Sequence, residues 1–144
     1  MSQAIIQKAI AYLSAHNVCT MATTRADGSP QANTVEYVSD GLTLYVATDP
    51  AATKVENVRR DCRVAVTVDE DYSDWSKIQG VQFGGTAEIV SGAEEQKAGA
   101  LYIKKFPAIA DYPETEMTWL KLTPKILFWL DYTVDFGHKD MVKL

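Results

Sequence analysis

Positive charge is gathered in one place in a chain that is acidic overall. The stretch TDPAATKVENVRRDCRVAV, residues 48–66, carries Lys54, Arg59, Arg60 and Arg63, while the 144-residue chain has a formal net charge of −5. Its residue types suit a helix. Thr48 or Asp49 caps it, Pro50 takes the first helical position, and Ala51, Val55, Val58 and Cys62 fall along one face. Lys54 then lies beside the buried face in the first turn, where free backbone N–H groups also attract an anion. That combination is a cradle for a phosphate group. The same spacing also serves a lysine that snorkels to water and pairs with Asp49 or Glu56. Arg59, Arg60 and Arg63 complement the negative end of the helix dipole.

Other chemistry is sparse. The two histidines, His16 at a helix end and His138 in the tail, lack the neighbours of a nucleophilic triad, a Cys-His pair or a zinc site. Cys19 and Cys62 show no CxxC spacing and sit in apolar alternating runs, which reads as two buried free thiols in a reducing compartment. The acidic run DEDYSD, residues 69–74, reads as a solvated loop rather than a carboxylate pair for acid–base work. Neither GxGxxG nor a P-loop pattern is present. A phosphate cradle without acid–base machinery suits a cofactor that brings its own chemistry.

Several elements must position these residues. Residues 2–15 place Ile5, Ile6, Ala9, Ile10 and Leu13 on one stripe, an amphipathic helix with Ser2 as N-cap. The next 32 positions or so are β-rich, punctuated by Asp27-Gly28 and Asp40-Gly41, and predict three antiparallel strands joined by hairpins. In the third, Leu42, Leu44 and Val46 form the greasier face. CRVAVTVDE and KIQGVQFGGTAEIVS continue as strands, with Gly84-Gly85 marking a barrel corner, a bulge or a close approach. Ser91 and Glu94 form a capping box for a helix that ends near Phe106. MTWLKLTP and KILFWLDYTV read as two last strands. The second is apolar on both faces, through Ile126, Phe128 and Leu130 and through Leu127 and Trp129, which calls for cover from a second subunit. The class is mainly β (α+β): a six- to seven-stranded antiparallel split β-barrel with about three flanking helices, one domain over residues 1–144.

Composition limits the function. An apolar content of 47% with 23% charged residues fits a soluble globular domain, and no run reaches the roughly 20 apolar residues of a membrane span. Without a basic start or a cleavage site the N-terminus implies a cytoplasmic protein. The acid balance and the missing basic face argue against nucleic acid.

The residues ATTRADGSPQANTVEYVSDGLTLYVATDPAATKVENVRRDCRVAVTV, followed by GVQFGGTAEIV, resemble the FMN-binding split-barrel family typified by pyridoxamine 5'-phosphate oxidase. The resemblance covers roughly residues 15–92 well and the tail loosely. It implies a homodimer with FMN in a groove between subunits and the phosphate near Thr48, Thr53 and Lys54. Asn33, Thr34 and Val35 would run along the isoalloxazine, with Ala47 at the neighbouring strand end and Gln79, Gln82 and Trp129 as further contacts, the last from the partner subunit. The implied activity is a flavin-dependent oxidoreductase acting on a small substrate. Alternatives within the family are a flavin protein that only stores or passes electrons, and a relative that binds haem or a deazaflavin. This sequence departs from the oxidase pattern in having Asn33 and Thr53 where phosphate-binding arginines stand. It also has Asp135 and Gly137 where an Arg-x-His grips the vitamer, which implies poor oxidation of B6 vitamers.

Overall fold

The computed structural model describes residues 2–144. Eight strands form one antiparallel sheet: β1 (Val18–Thr24), β2 (Pro30–Glu36), β3 (Val38–Asp40), β4 (Thr43–Thr48), β5 (Arg63–Val68), β6 (Gln79–Val90), β7 (Thr118–Asp131) and β8 (Lys139–Lys143). Three helices, α1 (Ser2–Ala15), α2 (Thr53–Arg60) and α3 (Ala93–Lys105), flank it. Along the sheet the order is β2-β1-β5-β6-β7-β4-β3, with β8 beside β7. The mainly β, split-barrel expectation holds, and the tail supplies the eighth strand.

The curl has a simple covalent cause. β2 and β3 lie at opposite ends of the sheet path but are separated by Tyr37 alone, so the chain joins one end of the sheet to the other. Tyr37 is fully buried, and its hydroxyl donates to the Leu13 carbonyl at 2.6 Å. Both hairpin signals are real turns, with Gly28 at φ 86° and Gly41 at φ 61°, a left-handed region that favours glycine.

β7 is one strand of 14 residues where the sequence suggests two. One edge pairs with β6 throughout, while the other pairs first with β4 (residues 44–48 against 118–122) and then with β8 (residues 139–143 against 126–130). Pro124, which has no N–H to offer, stands between these two pairings. Opposite it the β6–β7 register shifts between Gly84 and Gly85. A Cβ at Gly85 would meet the Thr123 carbonyl oxygen at 2.1 Å, so the glycine pair is a bulge forced by close backbone approach.

The main core gathers Ala9 and Leu13 from α1, Met21, Leu44, Val46, Val66, Phe83, Leu122, Leu127 and Trp129. Burying a side chain such as Leu13 contributes about 1.5–3 kcal/mol. A second cluster joins Val38, Tyr45, Ala98 and Trp119, so the less greasy face of β4 also packs, beneath α3.

Three local expectations need correction. α2 begins at Thr53 rather than near Pro50, because the Asp49 carboxylate instead accepts the Ala51 N–H at 2.8 Å in a turn. Ser91 does not cap α3, whose N-cap is Gly92 at φ 63°. Glu94 pairs with Lys121 at 2.6 Å and accepts from the Tyr45 hydroxyl at 2.7 Å. Ser2 lies inside α1 rather than at its cap.

Cys19 is buried but Cys62 is exposed, at the turn between α2 and β5, which corrects the expectation that both are buried. Burial pushes the Cys19 thiol up to about 12.

Gly85→Ala is expected to cost about 3 kcal/mol in denaturant unfolding, since Thr123 backbone must shift. Gly99→Ala, in open space on α3, should stabilise by about 0.5–1 kcal/mol in the same assay. In native protein an aromatic disulfide reagent should titrate one thiol quickly, and Cys62→Ser should abolish that phase.

Candidate functional site

The four cations of residues 54–63 have different partners. Arg59 pairs with Glu56 at 2.9 Å, and Arg63 pairs with Asp61 at 2.7 Å. Arg60 donates to the Thr24 carbonyl at 2.7 Å and to Asn57 Oδ1 at 2.9 Å. Hydrogen bonding from Arg63 holds the Asp61 carboxyl down to about 2. Lys54, like Arg60, has no carboxylate partner among the described residues, but where Arg60 makes two short hydrogen bonds, Lys54 Nζ donates only to Thr48 Oγ1 at 3.4 Å, and neither Asp49 nor Glu56 takes it. The snorkelling ion pair is therefore absent.

Lys54 is half-buried, Thr48 is buried at the end of β4, and Ala52 at the N-cap of α2 brings no side-chain hydrogen bond. A half-buried lysine and a hydroxyl thus meet near the start of α2, where the Val55 N–H bonds the Ala52 carbonyl at 3.0 Å while the N–H groups of Thr53 and Lys54 have no hydrogen-bond partner among the described residues. Thr53 lies in the same turn, exposed. Ala47, one residue before Thr48, packs against the second core cluster instead.

α2 is held by Asn57, 2% exposed, whose Nδ2 donates to Thr23 Oγ1 at 3.0 Å and to Gln31 Oε1 at 2.9 Å. Gln31 in turn donates to Asn33 Oδ1 at 3.2 Å. Asn33 is tied in this way to the helix that carries Lys54. Gln31, Asn33 and Val35 share the inner face of β2, Thr34 the outer, and the strand's second edge carries no partner strand.

A family model for pyridoxamine 5'-phosphate oxidase matches residues 5–130. The chain belongs to the pyridoxamine 5'-phosphate oxidase family. A UPF0306 protein of Klebsiella pneumoniae strain 342 is 29% identical over 129 residues, which are 89% of this chain and 86% of that protein. In structure the chain is similar to a haem-binding protein from Mycobacterium smegmatis, with a TM-score of 0.80 and 24% identity over 99% of this chain. It spans only 58% of that protein's length. The haem storage protein HutZ of Vibrio cholerae aligns with a TM-score of 0.65 and 17% identity, over 85% of this chain and 87% of that one.

For a member of the pyridoxamine 5'-phosphate oxidase family, the remaining expected residues divide between the two faces of the sheet. Thr34, Thr20, Thr67, Gln82 and Phe128 form one cross-strand row on the outer face. Beside it runs a row of small residues, Ala32, Ala22, Ala65 and Gly84. Gln79 points the other way. Its Nε2 donates to Asp131 Oδ1 at 3.2 Å, while its carbonyl accepts from the Tyr12 hydroxyl at 2.9 Å. Burial alone would raise the Asp131 carboxyl, but hydrogen bonds from Thr133 and Gln79 outweigh it and hold it below the ordinary carboxylate range. Trp129, the contact that the resemblance assigns to the partner subunit, is 3% exposed in this chain and packs edge-on against Tyr12 at 5.5 Å.

Both histidines are engaged at both ring nitrogens. His16 contacts the Tyr12 carbonyl and Glu70, each at 2.7 Å, and His138 contacts Asp140 at 2.9 Å and Asp135 at 3.8 Å. Among the described residues no group of three His, Cys, Asp or Glu side chains could hold a metal ion, and no helix is long and apolar enough to cross a membrane.

Gln31 and Asn57 were missed in the sequence. Their signal was a polar residue, Asn57, beside the apolar positions Val55 and Val58 of a short helix. Asn57→Ala should lower stability by about 2 kcal/mol in urea unfolding, because Gln31 and Arg60 lose a buried partner.

Proposed function

We propose that two copies of this chain bind FMN between them and act as a flavin-dependent oxidoreductase on a small substrate. The observation that carries this reading is Lys54: a half-buried cation without a carboxylate partner, beside Thr48 and the uncapped start of α2. That set fits a flavin phosphate, which is an anion with several acceptor oxygens.

In this reading Lys54, Thr48 and the first-turn N–H groups hold the phosphate. The unpartnered edge of β2 along Asn33, Thr34 and Val35 presents backbone donors and acceptors to the polar rim of the ring. Thr34 and Gln82 on the outer face supply side-chain contacts, and the row of small residues leaves room for a flat ring and a second subunit. Bound flavin supplies hydride and single-electron transfer. Support for the second subunit comes from half-buried Ile126, Phe128 and Leu130 on the outer face of β7. The tail surrounds His138 with Asp135 and Asp140 rather than an arginine, which suits a substrate other than a B6 phosphate. A flavin protein that only passes electrons has the same binding site and would differ by showing no steady turnover with reduced nicotinamide.

Haem binding is the second reading, favoured by fold similarity to the haem-binding protein of M. smegmatis and to HutZ. Against it, an iron ligand from His16 or His138 must first break contacts with Glu70 or Asp140.

The test is the visible spectrum after incubation with FMN or with haem and removal of free ligand. Flavin bands at about one per subunit support the first reading, and a Soret band with no flavin retained supports the second. Lys54→Ala should weaken FMN about 10- to 100-fold, roughly 1.5–3 kcal/mol, by flavin fluorescence titration, without changing the unfolding midpoint. Unchanged affinity removes Lys54 from the site.

A further inference from the structure

We propose that the cavity between the β5–β6 loop and the adjoining strands binds a small organic cation, an amine, and disfavours anions such as phosphate esters. The proposal rests on the flavin reading only in giving this ligand the role of substrate. The charge preference stands on the cavity itself.

The cavity has a volume of about 620 Å³, within the range of small-molecule sites. Its lining includes Thr67, Asp69, Asp71, Tyr72, Gln82 and Leu130, and no lysine or arginine lines it. Of the loop's three consecutive carboxylates, Glu70 is engaged by His16 at 2.7 Å. Asp69 and Asp71 form no ion pair and accept no side-chain hydrogen bond among the described residues. An anion entering here would face two uncompensated, solvent-exposed carboxylates at the cavity rim, with no cation in the lining to offset them. An ammonium group finds acceptors in the same two carboxylates and an aromatic wall in Tyr72. Ile78, Val81 and Leu130 supply apolar surface for the rest of the ligand.

This loop is more than a solvated acidic turn because α1 pins it. The Tyr12 hydroxyl bonds both the Tyr72 hydroxyl and the Gln79 carbonyl, each at 2.9 Å. His16 stacks on the Tyr12 ring at 3.8 Å while holding Glu70. Glu70, Tyr72 and Gln79 are therefore held in place before a ligand arrives, which lowers the ordering cost on that side of the cavity. Gln82 belongs both to the cavity and to the outer-face row assigned to the flavin, so a ligand here lies next to the proposed cofactor.

The experiment titrates the protein with benzylamine, benzyl alcohol and benzoate at low salt and follows backbone amide shifts by NMR. Benzylamine should shift Thr67, Gly80 and Gln82 and bind about tenfold or more tighter than benzyl alcohol, with benzoate weakest. The Asp69→Asn/Asp71→Asn double variant should lose that preference. Glu114→Gln/Glu116→Gln, with the same change in net charge, should keep it. Equal affinities, no binding, shifts away from the cavity, or a preference that survives Asp69→Asn/Asp71→Asn would each overturn the proposal. FMN retention is measured on the same protein. Amine binding without flavin retention defeats the flavin reading alone, and flavin retention without amine selectivity defeats the cavity proposal alone.

Discussion

Twelve paired positions between β6 and β7 hold the molecule together, and they depend on a missing side chain. At Gly85 the two backbones come too close for a Cβ, and there the register shifts and the sheet bends. The free edges of this pair then recruit β5 on one side and β4 with β8 on the other. Pro124 sits at the place on β7 where no partner strand needs an N–H. Without the bend, β2 and β3 could not occupy opposite ends of one sheet while being joined through Tyr37 alone.

α2 inherits its position from that curl. Its eight residues are too few for a helix stable by itself, so tertiary contacts must hold it. Val55 and Val58 supply apolar contact, and Asn57 supplies register by bonding Thr23 on β1 and Gln31 on β2. A buried polar network of this kind is costly unless every member is satisfied, which makes the helix position specific as well as stable. Lys54 projects from the first turn of the helix so placed, and its freedom from carboxylates follows from Asp49 being spent on the preceding turn and Glu56 on Arg59.

The opposite end of the barrel is organised by α1 in the same manner. Tyr12 and His16 hold the β5–β6 loop through a hydroxyl pair and a hydrogen bond to Glu70. Tyr37 bonds the Leu13 carbonyl, and Lys105 bonds the carbonyls of His16 and Tyr37, so the helix C-terminus is satisfied by side chains from elsewhere in the chain. The two ends differ in charge, with an available cation beside α2 and unpaired carboxylates beside α1. A ligand that carries an anionic tail and reacts with a cationic partner matches that polarity.

Local chemistry made the elements legible in the sequence. Asp27-Gly28 and Asp40-Gly41 mark turns because Gly28 and Gly41 take a positive φ that a side chain would oppose, and alternating Val64, Val66 and Val68 make a half-buried strand in any sheet. The clustering of Lys54 with Thr48 was legible too, because strand end and helix start are adjacent in the chain. Long-range pairing decided the rest. Whether MTWLKLTPKILFWLD is one strand or two depends on β6 lying along all of it, and whether Ser91 caps a helix depends on Lys121 and Tyr45 claiming Glu94. Trp129 and Phe128 are equally apolar neighbours, and only the register with Val81 and Gln82 sends one inward and the other out. Side-chain direction in a strand alternates with every residue, so sequence can pair residues into faces, but it takes the folded sheet to say which face meets the core.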